Sequence, residues 1–239
     1  MDFKYQGIII SKKDIAEVDR IYVIYTLEAG KISIIGKGVR NPNAKLAGNL
    51  EPVTYSEIFV ARTRGKGKIT GAIAINNFLP VKENYSAIRK VFYVFGILEK
   101  MITQEEKDEE LFGLLLSYLE KMEKAGRENS EEVMDILTVG FILKMADNLG
   151  YKINVESCVG CGKNLSPEGN YFSARSGGIL CDHCQEESEG KIKVTAGAIK
   201  LIRLFLKNKM ENLGKIRASG EDINSAKRVA NELLKWIIA

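Results

Sequence analysis

Arg20-Ile-Tyr-Val-Ile-Tyr-Thr-Leu27, then Glu28-Ala-Gly30, then Lys31-Ile-Ser-Ile-Ile-Gly-Lys37 reads as two β-strands joined by a tight turn. β-Branched and aromatic residues fill both runs, and Gly30 supplies the backbone freedom that a hairpin turn needs. The pattern continues on both sides. Upstream, residues 5–12 carry Gly7-Ile-Ile-Ile10. Downstream, after a loop with Pro42, residues 53–61 and 69–76 make two more strands, separated by Arg62-Thr-Arg-Gly-Lys-Gly-Lys68. A short helical turn is expected around 44–48. Five strands with that interruption fit a small Greek-key barrel of the OB type. Periodicity alone fits an SH3-like barrel nearly as well.

From residue 84 the period changes to that of a helix. Ile88, Val91, Phe92, Phe95 and Leu98 form one apolar stripe, Leu111, Phe112, Leu115, Leu119 and Met122 a second, and Val133, Ile136, Leu137, Ile142 and Leu143 a third that runs to Gly150. The acidic run 105–110 favours the positive end of the second helix. Asn129 with Glu132 resembles a cap pair for the third. Thr195 and Ser219 are expected to cap two C-terminal helices that pack back on helices 84–150, with Trp236 in the core. The class is therefore α+β. A barrel domain over 1–80 precedes a helical domain over 81–239, into which residues 156–188 insert a separate module.

That module holds the chain's four cysteines, Cys158-Val-Gly-Cys161 and Cys181-Asp-His-Cys184, with 19 residues between the pairs. Two C-x-x-C turns at this spacing form a zinc pattern. Each turn presents two thiolates from one side, and two turns close a tetrahedral four-sulfur site. Structural Zn2+ is the expected cofactor. A closed site leaves no position for a reactive water, which counts against a metalloenzyme. Disulfides are the rival reading, but Met1-Asp2-Phe3-Lys4-Tyr5-Gln6 does not read as a secretory signal. His183, the only histidine, reads as an exposed loop residue.

Charge is unevenly spread. Residues 1–80 carry 12 Lys/Arg against 7 Asp/Glu, and residues 189–239 carry 11 against 5, while residues 81–188 are net acidic. Basic ends suit a polyanion. In the barrel domain, Lys37, Arg40, Lys45, Arg62, Arg64, Lys66 and Lys68 fill the turns around the third, fourth and fifth strands. They are the candidate phosphate contacts, with a solvated basic hairpin tip as the plain alternative. Tyr22 and Tyr25 lie on opposite faces of the second strand, so at most one can stack on a base. Gly65-Lys-Gly-Lys68 is no Walker loop, because G-x-x-x-x-G-K-[ST] and the helix after it are missing. No apolar run reaches membrane-spanning length.

The order of parts resembles the RecO family of DNA repair and recombination mediators. The resemblance rests on Gly7-Ile-Ile-Ile10, Thr26, Gly30-Lys31, Lys37-Gly-Val-Arg40 and Leu50-Glu-Pro52 in the barrel. It continues with Leu111-Phe112, Leu115 and Leu119 in the helices. Its most specific string is Leu149-Gly-Tyr151, Cys158-Val-Gly-Cys161-Gly162, Phe172, Gly177-Gly178 and Cys181/Cys184. One departure is Thr138-Val-Gly-Phe-Ile-Leu-Lys-Met145, which is apolar where the resemblance calls for a polar, arginine-containing segment. The resemblance implies a non-enzymatic bacterial cytoplasmic protein, associated with the nucleoid. Such proteins bind single- and double-stranded DNA, anneal complementary strands, and act with RecR to load RecA onto strands coated with single-strand binding protein. It also implies docking of the acidic tail of single-strand binding protein on the helical domain, for which Lys200, Arg203 and Lys207 are the candidate residues. A zinc-ribbon RNA-binding accessory protein is the competing reading, distinguished by a preference for RNA.

Overall fold

The computed structural model describes residues 2–15, 17–41, 47–61, 67–102, 105–187 and 190–238. Chain contacts divide it into two compact units, 1–129 and 130–239. The expected boundary at residue 80 thus falls inside the first unit.

The first unit opens with five strands, β1 (Asp2–Asp14), β2 (Arg20–Thr26), β3 (Gly30–Gly36), β4 (Tyr55–Ala61) and β5 (Lys68–Asn76). They close into a barrel in the order β1-β2-β3-β5-β4. β1 is long enough to pair with β4 along its first half and with β2 along its second. A bulge between Ile9 and Ser11 bends it from one partner to the other. β3 meets β5 in parallel at Ile35 and Lys68. Alternation sets the inside: Ile9, Tyr22, Ile24, Ile32, Ile34 and Ile58 form the barrel core. Of the turn expected at 44–48, residues 44–46 lie outside the described residues, and a 3-10 turn follows at Ala47–Leu50.

Three helices follow in the same unit, α1 (Leu79–Glu83), α2 (Tyr85–Met101) and α3 (Glu109–Arg127). Asn84 accepts a hydrogen bond from Ala87 N at the start of α2, and Asp108 accepts one from Leu111 N at the start of α3. The α3 face lies on the barrel. Its Phe112 ring stacks 6.3 Å from Tyr25 and meets Tyr55 edge-on at 6.0 Å. Lys31 Nζ donates to Glu99 O at 2.7 Å, tying β3 to the end of α2. Tyr22 and Tyr25 do point to opposite faces, but both are buried, one in the barrel core and one under α3. Neither is open to a base.

The second unit is built around α4 (Glu131–Asn148). Every residue from 136 to 143 is buried, so this helix is apolar all round and is covered on several sides. α5 (Ala196–Lys207), α6 (Met210–Leu213) and α7 (Gly220–Ile238) pack on it. At Gly140 a Cβ would strike Leu213 Cδ1, which explains a glycine in mid-helix. The C-terminal helices thus pack on α4, and α2 and α3 belong to the other unit. Two smaller expectations are corrected. Ser130, not Asn129, occupies the N-cap position of α4, while Asn129 takes a left-handed φ of 52° in the preceding turn. Trp236 is 52% exposed on the outer face of α7. Leu233 and Leu234 take the core positions, and Trp236, two residues beyond Leu234, turns outward.

Candidate metal centre and nucleic-acid interface

Residues 149–195 of the second unit carry the cysteine module. β6 (Asn170–Ser173), β7 (Gly178–Cys181) and β8 (Ile192–Val194) form an antiparallel sheet ordered β7-β6-β8. The first cysteine turn is fixed to this sheet by backbone bonds: Val159 N donates to Ile179 O at 2.8 Å and Ile179 N to Asn154 O at 3.0 Å. Gly178 sits so close to Asn154 O that a Cβ has no room there. Within the turn, Cys158 N donates to Lys163 O and Gly162 N to Cys158 O. The second pair leaves the end of β7 and enters a 3-10 turn at Cys184–Glu187.

The four Sγ atoms of Cys158, Cys161, Cys181 and Cys184 lie within 4.8 Å of one another, and no disulfide joins them. Cys161 and Cys181 are 3.9 Å apart. A tetrahedral ion with bonds of about 2.3 Å requires sulfur–sulfur edges of roughly 3.8 Å. The donor set therefore fits a zinc-sized ion. Burial opposes ionisation of Cys158, yet the backbone N–H groups of Cys181, Cys161 and Gly160 outweigh it and bring its pKa down to about 6. Cys184 goes the other way, to about 12, because it shares hydrogen bonds with Cys161 and Cys181 and is partly desolvated. One thiolate is thus stable in its nest of amides, and four at this spacing need a cation among them. His183 is exposed in the turn between Cys181 and Cys184.

The basic candidates of the barrel gather where they can be placed. Lys37 and Arg40 lie exposed in the turn that follows β3, and Lys68 opens β5 beside Ile35. All three therefore stand at one end of the barrel. Lys45, Arg62, Arg64 and Lys66 lie outside the described residues. Sequence reading missed a fourth cation at this end. Arg20 opens β2 directly opposite Gly36, and its Nε donates to Asp14 at 2.6 Å. Asp14 also faces Arg40 Nε at 3.5 Å. The Arg20 bond, with the charges of Arg20, Arg40 and Lys12, holds the Asp14 carboxyl below its usual range against a little desolvation. The antiparallel register of the hairpin was the signal that places Arg20 beside the β3 turn.

The three C-terminal candidates share one face of α5 but not one environment. Arg203 donates to Val155 O at 2.7 Å and pairs with Glu156 at 3.3 Å, and Lys207 pairs with Glu156 at 2.9 Å. Both therefore brace the cysteine module against α5. Lys200 is exposed. Among the described residues, no helix is long and apolar enough to cross a membrane.

The comparisons with known proteins place this chain in one family. The family model described as "Recombination protein O N terminal" matches residues 1–78, and "Recombination protein O C terminal" matches residues 83–239. The DNA repair protein RecO of Dehalococcoides mccartyi strain 195 is 29% identical, over 99% of this chain and 91% of that protein. The RecO of Halalkalibacterium halodurans is 29% identical over 97% and 88%, and that of Acetivibrio thermocellus 26% identical over 97% and 90%. Matched along almost its whole length by both halves of one family, the chain belongs to the RecO family of DNA repair proteins.

Proposed function

We propose that this chain is a non-enzymatic recombination mediator that binds single- and double-stranded DNA and anneals complementary strands. Acting with RecR, it loads RecA onto strands coated with single-strand binding protein, in the bacterial cytoplasm at the nucleoid. The observation that carries this reading is the cationic end of the barrel, where Lys37, Arg40, Lys68 and Arg20 stand around the end of β3. The strand order β1-β2-β3-β5-β4 supports an OB-type barrel, in which nucleic acid lies over the β2–β3 face. Lys45, Arg62, Arg64 and Lys66 lie outside the described residues and stay candidate phosphate contacts by sequence alone. Annealing brings two polyanions together, and cations lower the repulsion between them while counterion release drives binding. The four cysteines hold a structural Zn2+ that keeps the 149–195 module folded. Family membership removes the support for an RNA-binding accessory protein.

The test is binding of labelled single-stranded DNA over a salt series, with RNA of the same sequence in parallel. Log affinity should fall linearly with log salt, with a slope of roughly −0.7 per phosphate neutralised. DNA should bind at least as well as RNA. Absence of DNA binding, or a strong preference for RNA, refutes the reading.

A further inference from the structure

We propose that the outer face of α2 is a second single-strand contact surface, which stacks on bases while the barrel cations hold phosphates. This rests on the DNA-binding reading above.

Most exposed aromatic residues on a protein surface are isolated and need no explanation. Those on α2 are not isolated. The exposed positions of this helix are Tyr85, Arg89, Phe92, Tyr93, Gly96 and Lys100. Three are aromatic, two are cations, one is glycine, and none is a carboxylate. Tyr85 is 78% exposed, Phe92 47% and Tyr93 46%. The contrast with α3 is informative, because its exposed positions include Glu109, Glu110 and Glu120. An acidic face of that kind repels a polyanion, and the face of α2 does not.

The arrangement also suits stacking. Tyr85, Arg89, Phe92 and Gly96 follow one another at helical spacing along one line. At 1.5 Å per residue, Tyr85 and Phe92 stand roughly 10 Å apart, with Arg89 between them. The Arg89 guanidinium lies 5.8 Å from the centre of the Tyr85 ring, so it can meet a phosphate while that ring meets a base. Phe92 is set edge-on to the buried Phe95 at 6.4 Å, which fixes its direction. The opposite face, with Val91, Val94, Phe95 and Leu98, is buried. At the C-terminal end, the Lys31 bond to Glu99 O anchors the stripe at the start of β3, about 20 Å along that strand from the cations at its far end, a span of a few nucleotides. Neither tyrosine of β2 is open to a base, and among the described residues of the first unit the exposed aromatics, Tyr85, Phe92 and Tyr93, all lie on this helix. Aromatics and cations with no acid are what a sequence-tolerant single-strand site requires.

The experiment uses the full chain with fluorescein-labelled oligo-dT, followed by anisotropy at several salt concentrations. The double variant Tyr85→Ala/Phe92→Ala should bind roughly tenfold or more weakly, because each base stack is lost. Its salt slope should equal that of the wild type, since no phosphate contact is removed. Affinity for a blunt duplex, whose bases are already stacked, should be unchanged. Tyr85→Phe should bind like the wild type. Lys37→Ala/Arg40→Ala is the control: it should weaken both DNAs and reduce the slope. Tyr85 is largely exposed and Phe92 half-buried, so the melting temperature should fall by only a few degrees. If the control weakens binding and the double variant does not, the α2 face is not a base-stacking surface and the barrel reading stands. If the wild type binds no DNA, both fall.

Discussion

Cys158 is the cysteine that the fold holds most firmly. It is buried, it receives an amide hydrogen bond from Cys181 at the end of β7, and its own turn is tied to β7. Replacing it by serine leaves three ligands and a poor oxygen donor in a closed site. The Cys158→Ser protein should lose its zinc, read by a colorimetric chelator. It should melt about 5 °C lower, the shift expected for roughly 2 kcal/mol in a chain of this size. Asp222 is a second residue with a wide reach. Its carboxylate accepts from the Ser219 hydroxyl at 2.7 Å, while that hydroxyl caps the start of α7 by accepting from Asp222 N at 3.1 Å. It also accepts 2.6 Å from the Thr195 hydroxyl, so one carboxylate joins the starts of α5 and α7. The Thr195 bond first, and the Ser219 bond next, lower its pKa from 3.8. A carboxyl whose folded pKa is depressed stabilises the protein above its unfolded pKa, and that contribution disappears as pH falls through the folded value. Asp222→Asn should therefore cost about 1 kcal/mol at neutral pH, as lost caps do. It should also flatten the acid limb of a stability–pH curve below about pH 4, measured by urea titration.

At the scale of elements, α3 is the helix on which the barrel depends. The Phe112 ring stacks on Tyr25 and touches Tyr55. Burial, and secondarily the Asp108 carboxylate, hold the Tyr25 phenol well above its ordinary pKa. Phe112→Ala should destabilise the protein by about 3 kcal/mol in urea unfolding. It should also bring the Tyr25 titration back toward 10, seen in tyrosine absorbance. The strands and most helices were legible because alternation and the 3.6-residue stripe are local signals. The cysteine cluster was legible because ligand spacing is local too. What covers a stripe is not local. The sequence shows that Tyr22 and Tyr25 take opposite sides of β2, but closure of the barrel buries Tyr22, and Phe112, far along the chain, covers Tyr25. For the same reason Trp236 reads as core by composition, whereas its position two residues beyond Leu234 turns it outward. Arg203 and Lys207 read as a free basic stripe until Glu156 is placed beside them.

For the whole molecule, the contact boundary at 129 and the family boundary near 80 describe different things, one packing and one descent. They lead to opposite predictions for fragments. Cut at 80, the barrel would expose Tyr25 and lose the α2 anchor on Lys31. A fragment of residues 1–129 should therefore unfold cooperatively, with native-like circular dichroism. A fragment of residues 1–80 should melt broadly or aggregate. Equal cooperativity in both would mean that α2 and α3 add nothing to the barrel. The second unit has a different dependence. α4 is apolar on every side and ends at Asn148, while the helices that cover it begin at Ala196 and run to Ile238. A ribosome adding about 10 residues per second needs several seconds to supply them. For that interval the nascent chain carries a sticky, uncovered helix, and the cysteine turns emerge within the same interval. Early metal capture would then set how long this half stays exposed to chaperones and to its neighbours on the same message.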